Sequence, residues 1–464
     1  MFNRRQFLKT SLAGGATTLL GQNLQAANRQ ETHVLLPENE ETPRRKGKSV
    51  FGLRCKPLPT VRIGVIGLGR GGEAVRRLSL IEGAEVVALC DLIPERINWS
   101  QGHLKKNGRK EAATYSGEED WKKICEREDI DLIYNATPWD LHVPIALYAM
   151  DQGKHTTLEV PAALTVKDCW ALVDKAEETQ LHCMMLENCC YDFFELTALN
   201  MVRQGLLGEI IHTEGAYIHD FRDGYFAQRD DWRLIYNIYH TGNPYPTHGL
   251  GPIAQIMGIN RGDRMDYLSS VSTVQRGLAN YAKEHLKDDE RITQSERYQM
   301  GDMNTTIIHT ANGKTILLQH DTVSPRPYSR IQLVQGTKGM AVKYPDEKIA
   351  LQPDSHEFLQ EDRQKELFAK YEHPLSRYIG EKAQLVGGHG GMDYIMDWRL
   401  IYCLQKGFPL DQSVYDAAAW SCIVELSERS VIHKCVVDFP DFTRGEWQDL
   451  KPLPVIDMKE VLYG

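Results

Sequence analysis

Residues 61–72 read Val-Arg-Ile-Gly-Val-Ile-Gly-Leu-Gly-Arg-Gly-Gly, an apolar run that passes directly into a glycine-rich turn. The run is typical of a buried strand, and the residues after the turn are typical of a helix. Gly67, Gly69 and Gly72 have the spacing G-x-G-x-x-G. In that motif the first glycine permits the tight turn, the second lets a pyrophosphate approach the backbone, and the third lets helix and strand pack closely. Because the helix N-terminus presents free N–H groups to phosphates, we predict a dinucleotide-binding site here. The alternative is a glycine-rich turn with a purely structural role.

A second apolar run, residues 84–90, ends at Asp91. An acid at the end of the second strand is placed to bond the ribose hydroxyls of NAD and would repel the 2′-phosphate of NADP. The sequence therefore predicts NAD as the cofactor.

Strand and helix patterns alternate from residue 60 to residue 185. Strands are predicted over residues 130–136, 155–158 and 181–186, with helices between them. This alternation indicates an α/β fold that begins with a Rossmann domain, a doubly wound parallel sheet. Ligands bind beyond the carboxyl ends of such strands. The polar residues predicted at those ends are Asp91, Trp139, Asp140, His142, Glu159 and Asn188. Any one of them could be a turn former, but their shared position favours cofactor and substrate contact.

The second half of the chain has a different pattern. Strands are predicted over residues 208–218, 267–274, 304–310, 315–321 and 328–335. We therefore predict a second, α+β domain over residues 186–440, with an open, mostly antiparallel sheet and helices on one face. Residues 441–464 are expected to form a C-terminal extension.

The densest polar and aromatic stretch lies between these strands, at residues 229–233 and 243–252. It is predicted to be a shaped loop that leads into a helix over residues 253–257. A histidine (His248) beside Tyr245 and Arg233 suits work on a polyol, with the imidazole transferring protons and the others orienting the sugar. The alternative is a helix-capping Thr-His pair with a buried aromatic. A second candidate is His389, within residues 387–393, where four glycines let the backbone approach a ligand closely. A flexible loop ahead of a helix would explain that stretch equally well.

The composition limits the class of protein. At 464 residues the chain is expected to hold two domains plus extensions. Its 42% hydrophobic and 25% charged residues are ordinary for a globular protein. The net charge of −9 argues against nucleic acid or an anionic membrane as partner. The ten cysteines lack a C-x-x-C framework, so we expect them to be free and reduced. The sequence contains no cluster of residues with the recognisable spacing of metal ligands.

The first residues predict export. Asn3-Arg4-Arg5-Gln6-Phe7-Leu8-Lys9 precedes a weakly apolar run, which is typical of a twin-arginine signal peptide spanning residues 1–27. A chance amphipathic start is the alternative. No cysteine follows the run, so no lipid anchor is expected, and the destination would be the periplasm or the cell exterior. Residues 28–59 are polar and proline-bearing, as in a linker or a packed arm.

Two resemblances follow from these motifs. The glycine turn, Asp91, Thr137-Pro138-x-x-x-His142 and Glu159-Val160-Pro161 resemble the Gfo/Idh/MocA family of NAD(P)-dependent oxidoreductases. That family usually has Glu-Lys-Pro in the last segment, and the lysine assists hydride chemistry at a hydroxyl. Val160 stands in its place here, which argues against an ordinary alcohol dehydrogenase mechanism.

The loop motifs narrow the resemblance. Residues 187–191, 231–233, 243–249 and 387–393, with the twin-arginine start, are similar to glycoside hydrolase family 109, NAD-dependent α-N-acetylgalactosaminidases. The resemblance implies cofactor contacts at Gly69, Arg70, Asp91, Trp139, Asp140, Leu141, His142, Glu159, Val160 and Asn188. It implies substrate contacts at Tyr217, Arg233, Tyr245, Pro246, Thr247, His248 and Tyr328, to which the loop pattern adds His389.

The family's chemistry accounts for the missing lysine. NAD+ would oxidise the carbon-3 hydroxyl of the sugar, the carbon-2 proton would leave, the carbon-1 oxygen would be eliminated, water would add, and the stored hydride would return. We assign proton transfers to His248 and Tyr191, orientation to Tyr245 and Arg233, and an acid, base or positioning role to Glu159; which residue takes the carbon-2 proton is left open. The expected partner is a glycan with a terminal α-N-acetylgalactosamine, and the expected assembly is a homo-oligomer. The rival functions are a periplasmic NAD-dependent sugar dehydrogenase with net oxidation and a non-catalytic NAD-loaded binding protein.

Overall fold

The structure, a computed structural model, describes residues 33–34, 42–227, 232–285 and 298–456. The predicted signal peptide and part of the 231–233 motif lie outside these residues. Of the predicted linker, a two-residue strand β1 (His33–Val34) and residues 42–59 are described. Residues 42–59 pack on both halves of the chain: the Lys48 N–H donates to the Glu177 carbonyl at 3.2 Å, and the Val50 N–H donates to the Tyr415 hydroxyl at 3.1 Å.

The first sheet has six parallel strands in the order β4-β3-β2-β5-β6-β7. They are β2 (Val61–Ile66), β3 (Ala84–Cys90), β4 (Ala113–Tyr115), β5 (Leu132–Asn135), β6 (His155–Leu158) and β7 (Cys183–Met185). The helices that connect them are α1 (Leu68–Leu78), α2 (Pro94–Lys106), α3 (Asp120–Cys125), α4 (Trp139–Asp151) and α5 (Val166–Thr179). The chain moves from β2 to β3 on one side and returns to β5 on the other. This reversal opens a crevice at the carboxyl end of β2, where ligands bind in such folds, and the predicted doubly wound sheet is confirmed.

The second sheet has strands in the order β15-β9-β10-β11-β8-β12-β13-β14. They are β8 (Ile210–Ile218), β9 (Met265–Ser272), β10 (Asn304–Thr310), β11 (Thr315–Asp321), β12 (Leu333–Gly336), β13 (Gly339–Val342), β14 (Lys348–Leu351) and β15 (Val436–Asp438). All these neighbours are antiparallel except β8 and β11. The predicted open, mostly antiparallel sheet is therefore confirmed. The strand predicted from residue 328 starts only at Leu333, because Ile331 and Gln332 have φ of 60° and 48° and interrupt the extended backbone.

The remaining helices are α6 (Phe193–Arg203), α7 (Gly224–Ala227), α8 (Trp232–Tyr239), α9 (Thr247–Met257), α10 (Gly277–His285), α11 (Glu361–Tyr371), α12 (Pro374–Val386), α13 (Met392–Lys406), α14 (Val414–Ser421) and α15 (Ile423–His433). Short 3₁₀ helices span Asn188–Tyr191, His389–Gly391 and Glu446–Gln448. None of the described helices is both long and apolar enough to cross a membrane. All ten cysteines fall within the described residues, and none forms a disulfide.

Helix α9 begins six residues earlier than the sequence suggested. Pro252 lies inside it and lacks an N–H, so the His248 carbonyl has no partner along the helix. The Gln332 side-chain amide lies 3.5 Å from that oxygen and 3.0 Å from the Gly249 carbonyl. Gly215 of β8 is the glycine that lets α9 approach the sheet, because a β-carbon there would lie 2.3 Å from the Gly249 oxygen. The helix thereby holds His248 in its first turn, against the sheet.

Candidate active site

A cavity of about 1040 Å³ lies at the carboxyl ends of the parallel strands and is completed by side chains of the second sheet and its helices. This volume reaches the upper end of the range usual for ligand sites, about 300–1000 Å³. The lining residues that the sequence predicted are Gly67, Gly69, Arg70, Asp91, Trp139, Leu141, His142, Glu159, Val160, Asn188, Tyr217, Arg233, Tyr245, His248, Tyr328 and His389.

The glycine turn forms one end of the cavity. Gly67 has φ of 83°, and a β-carbon there would lie 2.6 Å from the backbone of Ala136, so only glycine fits. A β-carbon on Gly69 would meet nothing closer than the Arg96 side chain at 3.5 Å, which leaves the backbone open to a ligand. The N-cap residue of α1 is Gly67, which has no side chain to cap the helix. Gly72 does not line the cavity, and a β-carbon there would lie 2.7 Å from the Trp99 ring, so this glycine lets α1 and α2 pack closely.

Asp91 fixes the geometry of this end. Its carboxylate accepts the Leu68 N–H at 2.6 Å and the Ile93 N–H at 2.8 Å. The Arg96 guanidinium lies 3.5 Å away. An open glycine backbone at a helix N-terminus and a carboxylate at the next strand end are the features that a dinucleotide requires, so these residues fit NAD.

The turn after β5 and the turn after β6 are joined by side chains of α4. The Trp139 indole donates to the Val160 carbonyl at 3.1 Å. His142 is fully buried, with Nδ1 2.9 Å from the Pro161 carbonyl and Nε2 2.9 Å from the Thr137 carbonyl. Burial lowers the pKa of His142. Both ring nitrogens are therefore engaged by the protein. Asp140 is corrected: it is exposed on α4, because α4 already begins at Trp139, and it does not line the cavity.

Val160 is 3% exposed and belongs to the hydrophobic core. No ammonium group therefore occupies the position of the oxidoreductase lysine. Glu159, one residue earlier, borders the cavity, and its Oε1 lies 3.7 Å from the Nε of Arg70.

His248 and Glu187 form a buried acid–base pair. The Nδ1 of His248 lies 2.7 Å from Oε1 of Glu187, which is completely buried. Burial works to raise the pKa of Glu187, but the neighbouring imidazole and the Cys189 N–H lower it below its usual value. Glu187 is therefore an anion that orients His248 and leaves Nε2 for the cavity. This role of Glu187 was not predicted from the sequence; the available signal was a glutamate directly after a predicted buried strand.

Glu187, Cys189 and His248 also place three possible metal-ligand atoms within 4.8 Å of one another. Burial raises the pKa of the Cys189 thiol well above its usual value, so the sulfur is protonated. Since Glu187 and His248 already bond each other, the arrangement suits proton transfer better than metal binding.

Aromatic side chains form the walls of the cavity. The ring centres of Tyr217 and Tyr245 lie 4.8 Å apart, and that of Tyr245 lies 5.0 Å from His248. The Arg233 guanidinium lies over Trp232 at 4.2 Å. Burial raises the pKa of Tyr217 to about 12 and that of Tyr245 well above its usual value. These phenols stay protonated and can donate hydrogen bonds to sugar hydroxyls.

Three further assignments are corrected. Tyr191 is 3% exposed, does not line the cavity, and its hydroxyl lies 3.2 Å from Asp411, because the 3₁₀ turn directs Asn188 into the cavity and Tyr191 away from it. Pro246 and Thr247 are buried behind the wall, since α9 begins there.

His389 lies on the cofactor side with a carboxylate that the sequence analysis gave no role. Its Nδ1 is 2.9 Å from Asp393, which also accepts the Asn188 amide at 2.5 Å and lies 3.4 Å from the Arg77 guanidinium. The site thus contains a second oriented imidazole.

Fold and site together define a class of protein: a Rossmann domain that binds NAD, joined to a mixed-sheet domain that completes the cavity. Residues 61–187 match the Gfo/Idh/MocA oxidoreductase family with an NAD-binding Rossmann fold. Residues 191–449 match the C-terminal domain of glycosyl hydrolase 109, and residues 1–21 match the twin-arginine translocation signal sequence. The chain belongs to glycosyl hydrolase family 109 and is a glycoside hydrolase with an NAD-binding domain.

Individual relatives of the chain support this family membership. The glycosyl hydrolase family 109 protein 2 of Phocaeicola vulgatus is 54% identical over 413 residues, covering 87% of this chain and 100% of that protein. An alpha-N-acetylgalactosaminidase of Bacteroides fragilis is 51% identical over 407 residues, covering 86% and 96%. The solved structure of scyllo-inositol dehydrogenase from Lactobacillus casei, with NAD(H) and scyllo-inositol, is similar in fold, with a TM-score of 0.58 at 15% identity over 82% of this chain and 99% of that one. The family resemblance, the fold class and the cofactor predicted from the sequence are confirmed.

Proposed function

We propose that this glycosidase removes terminal α-N-acetylgalactosamine and uses tightly bound NAD that is regenerated in every turnover. The observation that carries the proposal is the His248–Glu187 pair, which faces the same cavity as the glycine turn while Val160 occupies the lysine position. The name of the Bacteroides fragilis relative supports the choice of sugar.

Conventional hydrolysis would need two carboxyl groups about 5–9.5 Å apart across the scissile bond. The carboxylates that line the described cavity are Asp91, Glu118 and Glu159. They follow β3, β4 and β6, and β3 and β6 are three strand positions apart. At about 4.8 Å per strand, Asp91 and Glu159 are separated by roughly 14 Å, and Glu118 lies one strand farther away. The strand ends that carry these groups are farther apart than the carboxyl groups of a conventional pair, which supports a different chemistry.

Bound NAD would supply the oxidation of the carbon-3 hydroxyl to a ketone and the later reversal of that step. A ketone at carbon 3 acidifies the proton on carbon 2. His248 is placed to remove that proton with Nε2, and Glu187 stabilises the resulting imidazolium. The carbon-1 oxygen then leaves with the aglycone and takes a proton from the water that adds to carbon 1. The Nε2–H of the imidazolium exchanges with solvent before it protonates carbon 2.

Other side chains hold the sugar. The protonated hydroxyls of Tyr217 and Tyr245 and the guanidinium of Arg233 are placed to bind its hydroxyls and acetamido group. Glu159 is assigned to positioning beside Arg70.

We also propose that the exported protein is located in the periplasm or outside the cell.

We further propose a homo-oligomer formed through the second sheet. Val271 and Ile307 are 65% and 55% exposed on neighbouring strands, and they share a face because Val271 is paired with Thr305. A sheet face that exposes large apolar side chains beside polar ones can pair with a second copy. Light scattering after gel filtration tests the proposal, and a monomer at micromolar concentration would contradict it.

The function is tested by turnover of an aryl α-N-acetylgalactosaminide without added NAD. Release of the aryl alcohol without net NADH is expected. Net NADH would instead support a sugar dehydrogenase, and the absence of any turnover would support an NAD-loaded binding protein.

A further inference from the structure

Residues 387–391 adopt an unusual backbone. Gly387, Gly388, His389, Gly390 and Gly391 all have positive φ, of 80°, 94°, 45°, 74° and 109°. Glycine tolerates this region freely, whereas a side-chain-bearing residue there costs of order 1–3 kcal/mol. His389 is the one residue of the five that bears this cost, which indicates that its side chain has a use.

The same segment is fastened to α1, the helix that starts at the glycine turn. The Arg76 guanidinium donates to the Val386 carbonyl at 2.8 Å. A β-carbon on Gly388 would lie 3.1 Å from the Arg77 side chain, so the backbone rests directly on α1. Arg77 in turn donates to Asp397 of α13 at 2.7 Å. Both arginines lie in the last turn of α1, so the segment fastens the second domain to that helix, and His389 of the segment reaches the cavity.

The His389 ring is aimed by its neighbours. Nδ1 is held by Asp393, 47% of the side chain is exposed, and the ring lines the cavity. Burial works to raise the pKa of Asp393, but the His389 hydrogen bond and the Arg77 and Arg70 charges lower it below its usual range. With Nδ1 engaged by a permanent anion, Nε2 is the nitrogen left for a ligand.

The neighbours of Asp393 also identify that ligand. Asn188, which donates to Asp393, and Arg70, in the glycine turn, both line the cavity at the carboxyl ends of the Rossmann strands. We propose that residues 387–393 form a strap that retains the dinucleotide, with His389 as its direct contact. This role rests on the recycling function proposed above, because a cofactor used in every turnover need not be released. It differs from the substrate contact predicted from the sequence.

The test compares His389→Gly with the wild type. Glycine removes the imidazole and also relieves the cost of the positive φ. If His389 has only a structural role, the variant should be at least as stable as the wild type. If His389 retains the cofactor, the variant should lose NAD. His389→Ala removes the imidazole while keeping the backbone cost. The matched control is Lys434→Gly, which relieves an equivalent φ of 55° at an exposed helix end outside the cavity.

Each protein is loaded with NAD and desalted, and the bound NAD is measured by chromatography over time. We expect both His389 variants to release NAD at least tenfold faster than the wild type and the control. The unfolding temperature of His389→Gly in excess NAD should be unchanged or higher. The proposal is overturned by His389 variants that keep NAD as the wild type does, or by a wild type that loses NAD during desalting. Because this readout needs no turnover, it is independent of failure of the glycosidase proposal.

Discussion

Replacing Glu187 by glutamine removes the charge that orients His248 and keeps the shape of the side chain. Oε1 of Glu187 and Nδ1 of His248 lie 2.7 Å apart. With an effective dielectric constant of about 20, the ionic interaction with an imidazolium at that distance is roughly 6 kcal/mol. At 1.36 kcal/mol for each tenfold change in rate, the upper limit of the effect is about 10⁴-fold. The amide retains part of the interaction, so we expect kcat to fall by about 10²–10⁴-fold.

The assay is steady-state hydrolysis of an aryl α-N-acetylgalactosaminide. KM should change by less than about threefold, because Glu187 is fully buried behind His248 and does not line the cavity. The matched control is Tyr191→Phe, which removes a hydroxyl four residues away that points to Asp411, and it should keep full activity. A Glu187→Gln enzyme with more than a tenth of the wild-type kcat would refute the role of the pair.

Three more outcomes are expected. Asp91→Ser should relax the preference for NAD over NADP by at least tenfold, because the strand-end carboxylate that repels a 2′-phosphate is gone; equilibrium binding of both cofactors measures it, and an unchanged ratio contradicts it. Gly67→Ala should abolish NAD retention, because its β-carbon would lie 2.6 Å from the Ala136 backbone, whereas Gly102→Ala, on an open helical surface, should not. Because the pKa of Glu187 is depressed on folding, its contribution to stability is present above its unfolded pKa of about 4.3 and is lost as pH falls through the lower folded value. Glu187→Gln should therefore lose less stability than the wild type on acidification below about pH 4; urea unfolding measures this, and parallel curves would count against it.

The local patterns were enough to predict the Rossmann sheet, the glycine turn and Asp91, because each depends on residues that are close in sequence. The starts of α4 at Trp139 and of α9 at Thr247 were not predicted, because Pro144 and Pro252 lie inside these helices and proline disfavours a helix interior. In α9, tertiary contacts such as the bond from the Gln332 side chain to the Gly249 carbonyl offset the effect of Pro252. Tyr191 was assigned to the site because it adjoins Asn188, but the 3₁₀ turn directs the two side chains to different sides. The roles of Glu187 and Asp393 were not predicted because an orienting carboxylate is defined by its partners. His248 lies 61 residues from Glu187, and Asn188 lies 205 residues from Asp393.

In the proposed mechanism the sugar loses its carbon-2 proton and gains one from solvent while NAD is recycled. The most direct test is turnover in D₂O, followed by mass and NMR analysis of the released N-acetylgalactosamine. The account predicts one non-exchangeable deuterium at carbon 2 in every product molecule, with no net NADH formed. A product without deuterium at carbon 2 would show that the glycosidic bond is broken without proton abstraction and would contradict the account.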